Sequence, residues 1–439
     1  MLKRLLLALA LSAAVAVPAA AQIRVDITGG ISQPMPIAIP RMPTPATAST
    51  PAGDTATLGQ KVAEIVTSDL KGSGLFTPLA PGQLAPVSFG QVTAPDFGFW
   101  GTTGAQALVQ GFVQANGDGT LTVGCYLYDV FQKTELTRQG FIVTPAQWRR
   151  GAHKCADTIY TRLTGEGPYF DSRVVYVSET GPKKNRIKRL AIMDQDGANH
   201  RFLTNGQTIV LTPRFAPNQQ TITYMSFTND RPRVYVYNVG SGTQRLVVDQ
   251  PNMTFAPRFS PDGRFIVFSM AVNGNTDIYR VPASGGTPVR LTTSPGIDTG
   301  ASYSPDGAKI VFESDRSGGQ QLYVMNADGS GQTRISFGGG RYGTPAWSPR
   351  GDLIAFTRVG GGFNVGVMNT DGSGEKILTH GWQDEGPSWS PNGRVIMFFR
   401  TGQGSGKADL WSVDLTGANE RSIPTPLDGS DPSWSPLLP

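Results

Sequence analysis

Over the last 270 residues or so, hydrophobic residues alternate with polar ones in short runs separated by turn residues, which is the pattern of antiparallel strands. One three-residue motif recurs six times: an aromatic residue, then Ser or Ala, then Pro. The six motifs begin at Phe215, Phe259, Tyr303, Trp347, Trp389 and Trp434. Their spacings of 44, 44, 44, 42 and 45 residues, with several strands in each period, predict a β-propeller.

The strand count at the two ends of the repeat predicts how the ring closes. Second, third and fourth strands form six groups, which begin near residues 174, 221, 265, 309, 353 and 394. Six first strands end at the six aromatic residues, so the first group has no first strand before it and the strand ending at Trp434 has no group after it. We therefore expect six blades, with the C-terminal strand completing the first blade and leaving no open edge.

The preceding part of the chain mixes helical and strand periods, which predicts a small α/β domain over 35–165 ahead of a propeller over 168–439. Six prolines between residues 34 and 51 predict an extended linker or loop with at most a short edge strand. The predicted helices are 55–70 and 146–163, and the predicted strands are 107–114, 120–130 and 136–143.

The N-terminus has the pattern of a secretion signal. A basic start at Lys3-Arg4, an apolar run over 5–17 and the small residues Ala19-Ala20-Ala21 predict a signal peptide over 1–21, cleaved before Gln22. The apolar run is too short to span a bilayer, and no other stretch is apolar enough to do so. We therefore expect a soluble, exported protein, for which a bacterial periplasm fits best.

Residues 22–34 form a separate short segment. Apolar Ile23, Val25 and Ile27 alternate with polar neighbours, which predicts a strand, and Gly29-Gly30 ends it with flexible backbone. We expect this strand to be mobile.

Composition supports a turn-rich β protein and gives no sign of nucleic-acid binding. The 439 residues include 54 Gly and 33 Pro, and only 16% are charged. The net charge of +5 is mild and includes two residues of the predicted signal peptide.

The two cysteines leave their redox state open. Cys125 is in phase with the apolar residues of a predicted strand and Cys155 with those of a predicted helix, so both should face one core. An exported protein can hold a disulfide. Either a bridge closes a loop of about 30 residues, or both thiols are simply buried.

The sequence contains no motif that indicates catalysis, a cofactor or a metal ion. Gly-x-Ser-x-Gly is absent, as is a phosphate-binding loop. Of His153, His200 and His380, only His153 has another His or Cys within a metal-ligand spacing. That residue, Cys155, lies two positions away on a predicted helix and faces elsewhere. We therefore expect a protein that is not an enzyme, with no cofactor and no metal.

The order of segments and several N-terminal runs together resemble one family. The runs are Gln22-Ile23-Arg24-Val25-Asp26-Ile27-Thr28, Asp69-Leu70-Lys71-Gly72-Ser73-Gly74-Leu75-Phe76, Trp148-Arg149-Arg150-Gly151-Ala152-His153 and Leu163-Thr164-Gly165 ahead of Arg173-Val174-Val175-Tyr176-Val177. Over essentially its whole length the chain is similar to the TolB family, the periplasmic components of the Tol–Pal system of Gram-negative bacteria. The resemblance implies a non-catalytic adaptor that maintains outer-membrane integrity and supports outer-membrane invagination at cell division.

The resemblance also implies two binding regions. In the family the mature N-terminal segment binds the inner-membrane protein TolA, and here it corresponds to Gln22, Ile23, Arg24, Val25, Asp26, Ile27 and Thr28. The family's propeller binds Pal, the peptidoglycan-associated lipoprotein, at the channel mouth, where loops lead from the fourth strand of one blade to the first strand of the next. Here these loops include Met253, Thr254, Phe255, Asp298, Thr299, Arg341, Tyr342, Gln383, Asp384 and Glu385. Other outer-membrane or periplasmic proteins are open as additional partners.

Two alternatives remain open from the residues themselves. A secreted propeller enzyme, a hydrolase or lyase, would use clustered charges at the mouth, where Asp298, Arg341, Asp384 and Glu385 occur. A glycan-binding propeller would use aromatic platforms there, and Phe255, Tyr342 and Trp382 are the candidates.

Overall fold

A computed structural model describes Ile23, Val25 and residues 33–182, 184–218, 220–404 and 406–439. An α/β unit is followed by a β-propeller, as the sequence predicted. The α/β unit has one five-stranded sheet in the order β4-β1-β5-β6-β7 and a separate two-stranded hairpin, β2-β3. Its strands are β1 (Met35–Ala38), β2 (Ser49–Thr50), β3 (Gly53–Asp54), β4 (Phe76–Pro78), β5 (Ala107–Ala115), β6 (Leu121–Asp129) and β7 (Thr134–Val143). Its helices are α1 (Thr55–Gly72), α2 (Phe97–Thr102) and α3 (Trp148–Thr164), with short 3-10 turns at Pro81–Gln83, Phe89–Val92 and Pro145–Gln147.

The proline-rich stretch corrects one prediction, because it contains an interior strand and not merely a linker with an edge strand. Strand β1 lies between β4 and β5 and is parallel to both, and Ile37 and Ala38 are fully buried. Strand β1 pairs with β5 only from Ile37 onward, where Ile37 lies opposite Ala107. Pro36 lies just before this pairing, so its missing N–H removes no hydrogen bond to β5.

Helices α1 and α3 cover one face of this sheet. Asp54 caps α1 by accepting a hydrogen bond from the Thr57 backbone N–H at 2.8 Å. The buried stripe of α1 includes Leu58, Val62, Ile65, Val66 and Leu70, and that of α3 includes Ala152, Cys155, Ile159 and Leu163. Cys155 is joined to Cys125 of β6 by a disulfide, with Cα atoms 5.6 Å apart.

In the described part of the chain after residue 172, six four-stranded antiparallel sheets form the blades. Blade one contains β8 (Arg173–Thr180), β9 (Ile187–Asp194), β10 (Arg201–Phe202) and β31 (Asp428–Trp434). Blade two contains β11 (Val210–Phe215), β12 (Thr221–Thr228), β13 (Arg231–Asn238) and β14 (Gln244–Val248). Blade three contains β15 (Thr254–Phe259), β16 (Phe265–Val272), β17 (Asn275–Pro282) and β18 (Val289–Arg290). Blade four contains β19 (Asp298–Tyr303), β20 (Lys309–Ser314), β21 (Gln321–Asn326) and β22 (Thr333–Arg334). Blade five contains β23 (Arg341–Trp347), β24 (Leu353–Val359), β25 (Phe363–Asn369) and β26 (Lys376–Ile377). Blade six contains β27 (Asp384–Trp389), β28 (Val395–Thr401), β29 (Ala408–Asp414) and β30 (Arg421–Ile423).

The C-terminal strand closes the ring, which confirms the predicted closure. Strand β31 pairs antiparallel with β8, from Asp428 opposite Glu179 to Trp434 opposite Val174. The Arg173 backbone N–H donates to Ser435 Oγ at 2.8 Å, so the two ends of the propeller are also joined beyond the ladder. Fully buried phenylalanines at one position of the second strands, Phe268, Phe312, Phe356 and Phe398, fill the space between blades.

Candidate functional site

Four of the predicted mouth residues support the mouth without reaching its surface. They lie at the start of the innermost strands, and all four side chains are fully buried: Thr254, Asp298, Tyr342 and Asp384. Asp298 accepts a hydrogen bond from Arg316 at 2.7 Å, and Asp384 accepts one from Arg400 at 2.6 Å. Both bonds lie within one blade, so these carboxylates hold the loops and are not available to a partner in this conformation.

Three other predicted residues face the channel, because side chains alternate along a strand. Phe255, Thr299 and Glu385 line a cavity of about 190 Å³ at this end of the channel, together with Arg258 and Glu313. Burial raises the pKa of Glu313 and of Glu385, and it lowers the pKa of Arg258 well below its usual range. The cavity is therefore a poorly solvated space with room for only a small polar group.

Hydrogen bonds fix the carboxylate in this cavity. Thr299 Oγ1 donates to one Glu313 oxygen at 2.5 Å, and the Thr344 backbone N–H donates to the other at 2.8 Å. Thr344 belongs to the next blade, so Glu313 joins two blades at the channel wall.

A β-bulge bends the innermost strand of every blade at the same height of the channel. At each bulge the pairing register shifts, and one residue there has a positive φ between 48° and 67°. These residues are Thr212, Ala256, Gly300, Thr344, Gly386 and Asp431. Only the two glycines adopt this conformation without strain. The bulges could not be recognised from the sequence, since the other four positions carry no glycine.

A ring of exposed apolar side chains surrounds the channel mouth, which we call the apolar ring. Each connection from the fourth strand of one blade to the first strand of the next contributes one member. The members are Ile209, Met253, Ile297, Phe337, Trp382 and Leu427, and between 37% and 72% of each is exposed. Two of these were predicted from the sequence, Met253 as a mouth residue and Trp382 as an aromatic platform. Several exposed apolar side chains around one opening, with polar neighbours, are typical of a protein-binding surface.

Charged and amide groups lie around the apolar ring. Arg341 is exposed and Gln383 is half-buried, so both predicted residues lie within reach of a partner. The Arg334 guanidinium stacks over the Phe337 ring at 5.1 Å. Of the three aromatic platforms considered for glycan binding, Tyr342 is buried and Phe255 faces the channel, which leaves Trp382 exposed on the rim.

Only part of the predicted TolA-binding segment is described. Val25 is buried, and its backbone N–H donates to the Leu163 carbonyl at the end of α3 at 2.8 Å. Ile23 packs on the same hydrophobic core. The remaining predicted residues, Gln22, Arg24, Asp26, Ile27 and Thr28, lie outside the described residues. These two side chains therefore contact the α/β unit at the C-terminal end of α3.

Helix α3 also contributes contacts between the α/β unit and the propeller. Arg150 pairs with Asp171 at 2.9 Å, and the Asp157 carboxylate accepts the backbone N–H of Tyr169 and of Phe170 at 2.7 and 2.8 Å. Arg149 forms ion pairs with Asp194 and Asp196 of the first blade. One helix thus contacts Val25, the residues 169–171 that lead into the first blade, and the propeller itself.

A buried histidine lies at the same interface. His153 Nδ1 lies 2.7 Å from Asp69 Oδ2 of α1. Burial acts to lower the pKa of His153, but the carboxylates of Asp69, Asp196 and Asp194 together outweigh it and raise the pKa to about 9. Among the described residues, His153, Asp194 and Asp196 form the one group that could hold a metal ion. This group could not be recognised from the sequence, because Asp194 and Asp196 lie about 40 residues from His153 along the chain.

Comparison with known sequences matches both parts of the chain to family models. The TolB beta propeller domain matches residues 160–438, and the TolB amino-terminal domain matches residues 23–136. A "Tol-Pal system protein TolB" from Rhizorhabdus wittichii is 83% identical over 436 residues, which is 99% of each chain. One of the same name from Zymomonas mobilis is 75% identical over 417 residues, covering 95% of this chain and 91% of its own.

A solved structure shares the whole architecture. The crystal structure of TolB from Acinetobacter baumannii superposes with a TM-score of 0.81 at 27% sequence identity, covering 94% of this chain and 100% of that one. Within the described residues, the helices are all too short or too polar to cross a membrane.

Proposed function

The chain belongs to the TolB family of the Tol–Pal system, and on that premise we propose that it binds Pal through the apolar ring of the propeller and TolA through its N-terminal segment. The family is periplasmic and not enzymatic, so a hydrolase or lyase in the channel is set aside. We further propose that cleavage before Gln22 frees the segment, and that the adaptor maintains outer-membrane integrity and supports invagination at division.

The apolar ring is the observation that carries the Pal proposal. Its members sit on six consecutive connections around one opening, so a partner that covers the mouth buries all of them together. Aromatic side chains with a polar rim are the usual centres of binding energy in protein interfaces. Phe337 and Trp382 lie on adjacent connections and are the most exposed members of the apolar ring, at 72% and 55%. We expect them to be the anchors.

The channel below the mouth provides a second contact. A side chain entering from the partner meets Thr299 and the bulge at Gly300, with Glu313 behind them. A donor group suits this pocket because Glu313 and Glu385 are poorly solvated acceptors. Thr299 therefore remains a proposed contact although little of its surface is exposed.

The TolA proposal rests on the alternation of the N-terminal segment and on its docking. Val25 is held to Leu163 by a backbone hydrogen bond, the same kind of bond that a partner's strand edge would offer. A segment that leaves α3 can add to the sheet of TolA with its apolar residues on one face. We propose that the glycine pair that follows in the sequence, Gly29-Gly30, permits this exchange, because glycine restricts the backbone least.

Calorimetric titration of the mature protein, starting at Gln22, with the soluble domain of Pal from the same organism tests the first proposal. We expect saturable one-to-one binding, and a loss of at least tenfold in affinity for Trp382→Ala, which corresponds to about 1.4 kcal/mol. The matched control is Phe131→Ala. Phe131 is also a largely exposed aromatic residue, at 67%, but it lies on the α/β unit and not at the mouth. Thr299→Ala and Arg341→Ala should weaken binding to a smaller degree.

Two results would count against the mouth as the Pal site. Equal affinities for Trp382→Ala and Phe131→Ala would place the contact elsewhere. An absence of binding by folded protein would remove the Pal assignment, and a pull-down on Pal-free peptidoglycan would then test glycan binding through Trp382.

A further inference from the structure

A buried histidine nitrogen between the α/β unit and the propeller has no hydrogen-bond partner among the described residues. His153 is 2% exposed, and its Nδ1 is engaged by Asp69, which leaves Nε2 unpaired. Gln195 of the propeller donates from Nε2 to the same Asp69 at 2.9 Å, while its Oε1 is also unpaired. Buried polar atoms without partners cost free energy, so they point to a ligand at this interface.

Two carboxylates from the first blade supply the rest of a ligand set. Asp194 ends β9 and Asp196 lies in the turn after it, and a carboxylate oxygen from each lies within 4.8 Å of the other and of a His153 ring nitrogen. Asp69 holds the opposite nitrogen, as carboxylates do where they orient a metal-binding imidazole. We infer that His153 Nε2, Asp194 and Asp196 bind a divalent transition-metal ion across the domain interface, and that the ion replaces the Nε2 proton, which is released to solvent.

The donor set selects the class of ion. One imidazole nitrogen and two carboxylate oxygens suit Zn²⁺ and similar first-row ions, whereas Ca²⁺ and Mg²⁺ prefer oxygen ligands alone. Bonds of about 2.0–2.2 Å place tetrahedral ligand atoms roughly 3.3 Å apart, so the three atoms, now within 4.8 Å of one another, must approach by up to about 1.5 Å. Asp196 can make this movement because it is only half-buried and belongs to a turn.

Arg149 competes with the ion. Its guanidinium pairs with both Asp194 and Asp196 and neutralises the charge that a cation would neutralise. An ion must therefore displace Arg149 from at least one carboxylate. Removal of this guanidinium should raise the affinity for the metal ion. A misfolded variant would lose affinity, so an increase cannot result from misfolding.

The bound ion would fasten α3 to the propeller. His153 belongs to the helix whose C-terminal end holds Val25, and both carboxylates belong to the first blade. Metal bonds across this boundary oppose separation of the two parts and should raise the thermal midpoint of the whole chain.

Titration of tag-free, chelator-treated protein with Zn²⁺ alone, by calorimetry at pH 7.5, tests the inference, with Co²⁺ absorption as a report on geometry. We expect one site for each chain with micromolar or better affinity, tetrahedral Co²⁺ bands, and a thermal midpoint several degrees higher at saturation. Arg149→Gln should bind at least threefold more tightly. Asp196→Asn should bind at least tenfold more weakly.

Asp328→Asn is the matched control, because Asp328 holds the same turn position in blade four and accepts from the Ser330 backbone N–H at 2.9 Å. It should bind Zn²⁺ as the unmodified protein does. His153→Gln should abolish Zn²⁺ binding. If this substitution at a buried position prevents folding, Asp196→Asn is the variant that tests the site. Absence of Zn²⁺ binding, or binding that Asp196→Asn and Arg149→Gln leave unchanged, would overturn the inference.

Discussion

Trp434 and Trp347 hold the same position in the repeat. Of the two, only Trp434 connects the closing strand to residues 169–172, which lie between α3 and the first blade. Its indole N–H donates to Ser172 Oγ at 2.8 Å, and its ring meets Tyr169 edge to face at 6.0 Å. Trp347 is more exposed, and its indole N–H donates to the Gly351 carbonyl at 3.3 Å. We predict that Trp434→Ala destabilises the propeller more than Trp347→Ala does.

The magnitudes follow from burial and from the lost bonds. Truncation of a fully buried tryptophan costs about 3–5 kcal/mol. The loss for Trp434→Ala should lie at the upper end of this range. The substitution also removes the hydrogen bond to Ser172 Oγ, which contributes about 1 kcal/mol, and the aromatic contact with Tyr169, which contributes roughly 0.5–1.5 kcal/mol. Trp347 should lose about 2–3 kcal/mol, because part of its surface is already in water. The expected difference is about 2 kcal/mol.

Urea denaturation followed by far-UV circular dichroism measures this difference, since the backbone dominates its signal and the unfolding midpoint can be read for every variant. Trp434→Phe is the intermediate variant. It retains an aromatic ring against Tyr169 and loses the N–H donor and some packing area, so it should cost roughly 1–2 kcal/mol. Equal losses for the two alanine variants, or a phenylalanine variant as unstable as Trp434→Ala, would refute the reasoning.

Three further predictions concern stability. Reduction of the Cys125–Cys155 disulfide should lower the free energy of unfolding by about 3–4 kcal/mol, because the bridge closes a loop of 30 residues; an unchanged urea midpoint in reductant would contradict this. Burial raises the pKa of Glu313 above its ordinary value of 4.5, so its contribution to stability is complete below pH 4.5 and is lost as the pH rises through the raised pKa. Glu313→Gln should therefore show a flatter dependence of the urea midpoint on pH above 4.5, and parallel curves would be evidence against it. Ala256→Gly should raise stability by up to about 1 kcal/mol because Ala256 has a φ of 51°, whereas a loss would show that the bulge is unstrained.

The strands of the propeller could be predicted closely because each repeat contains a motif that marks where its innermost strand ends. The aromatic-Ser-Pro motif marks the end of the innermost strand, and the observed strands end at Phe215, Phe259, Tyr303, Trp347, Trp389 and Trp434. Strand β1 could not be predicted in the same way. Pro36 suggests an edge, and only the tertiary pairing shows that its missing N–H lies just ahead of the β5 ladder.

The candidate site was harder to predict than the fold, for two physical reasons. Asp298 and Asp384 look exposed from their charge, but arginines 18 and 16 residues later along the chain pair with them and allow full burial. Conversely, Ile297 and Phe337 look like core residues from their hydrophobicity, but they point outward from loops. The period of these apolar residues just ahead of each first strand was the signal available.

The pairing of β31 with β8 also sets an order of events in time. Arg173 and Ser435 are bonded across 262 positions of sequence, so blade one, whose other strands are synthesised first, is completed last. Until residues 428–434 are available, β8 presents an unpaired edge and the ring has a gap between its first and sixth blades. A chain that emerges from a membrane N-terminus first therefore stays an open arc throughout its passage. Only release of its last strand converts that arc into a closed ring.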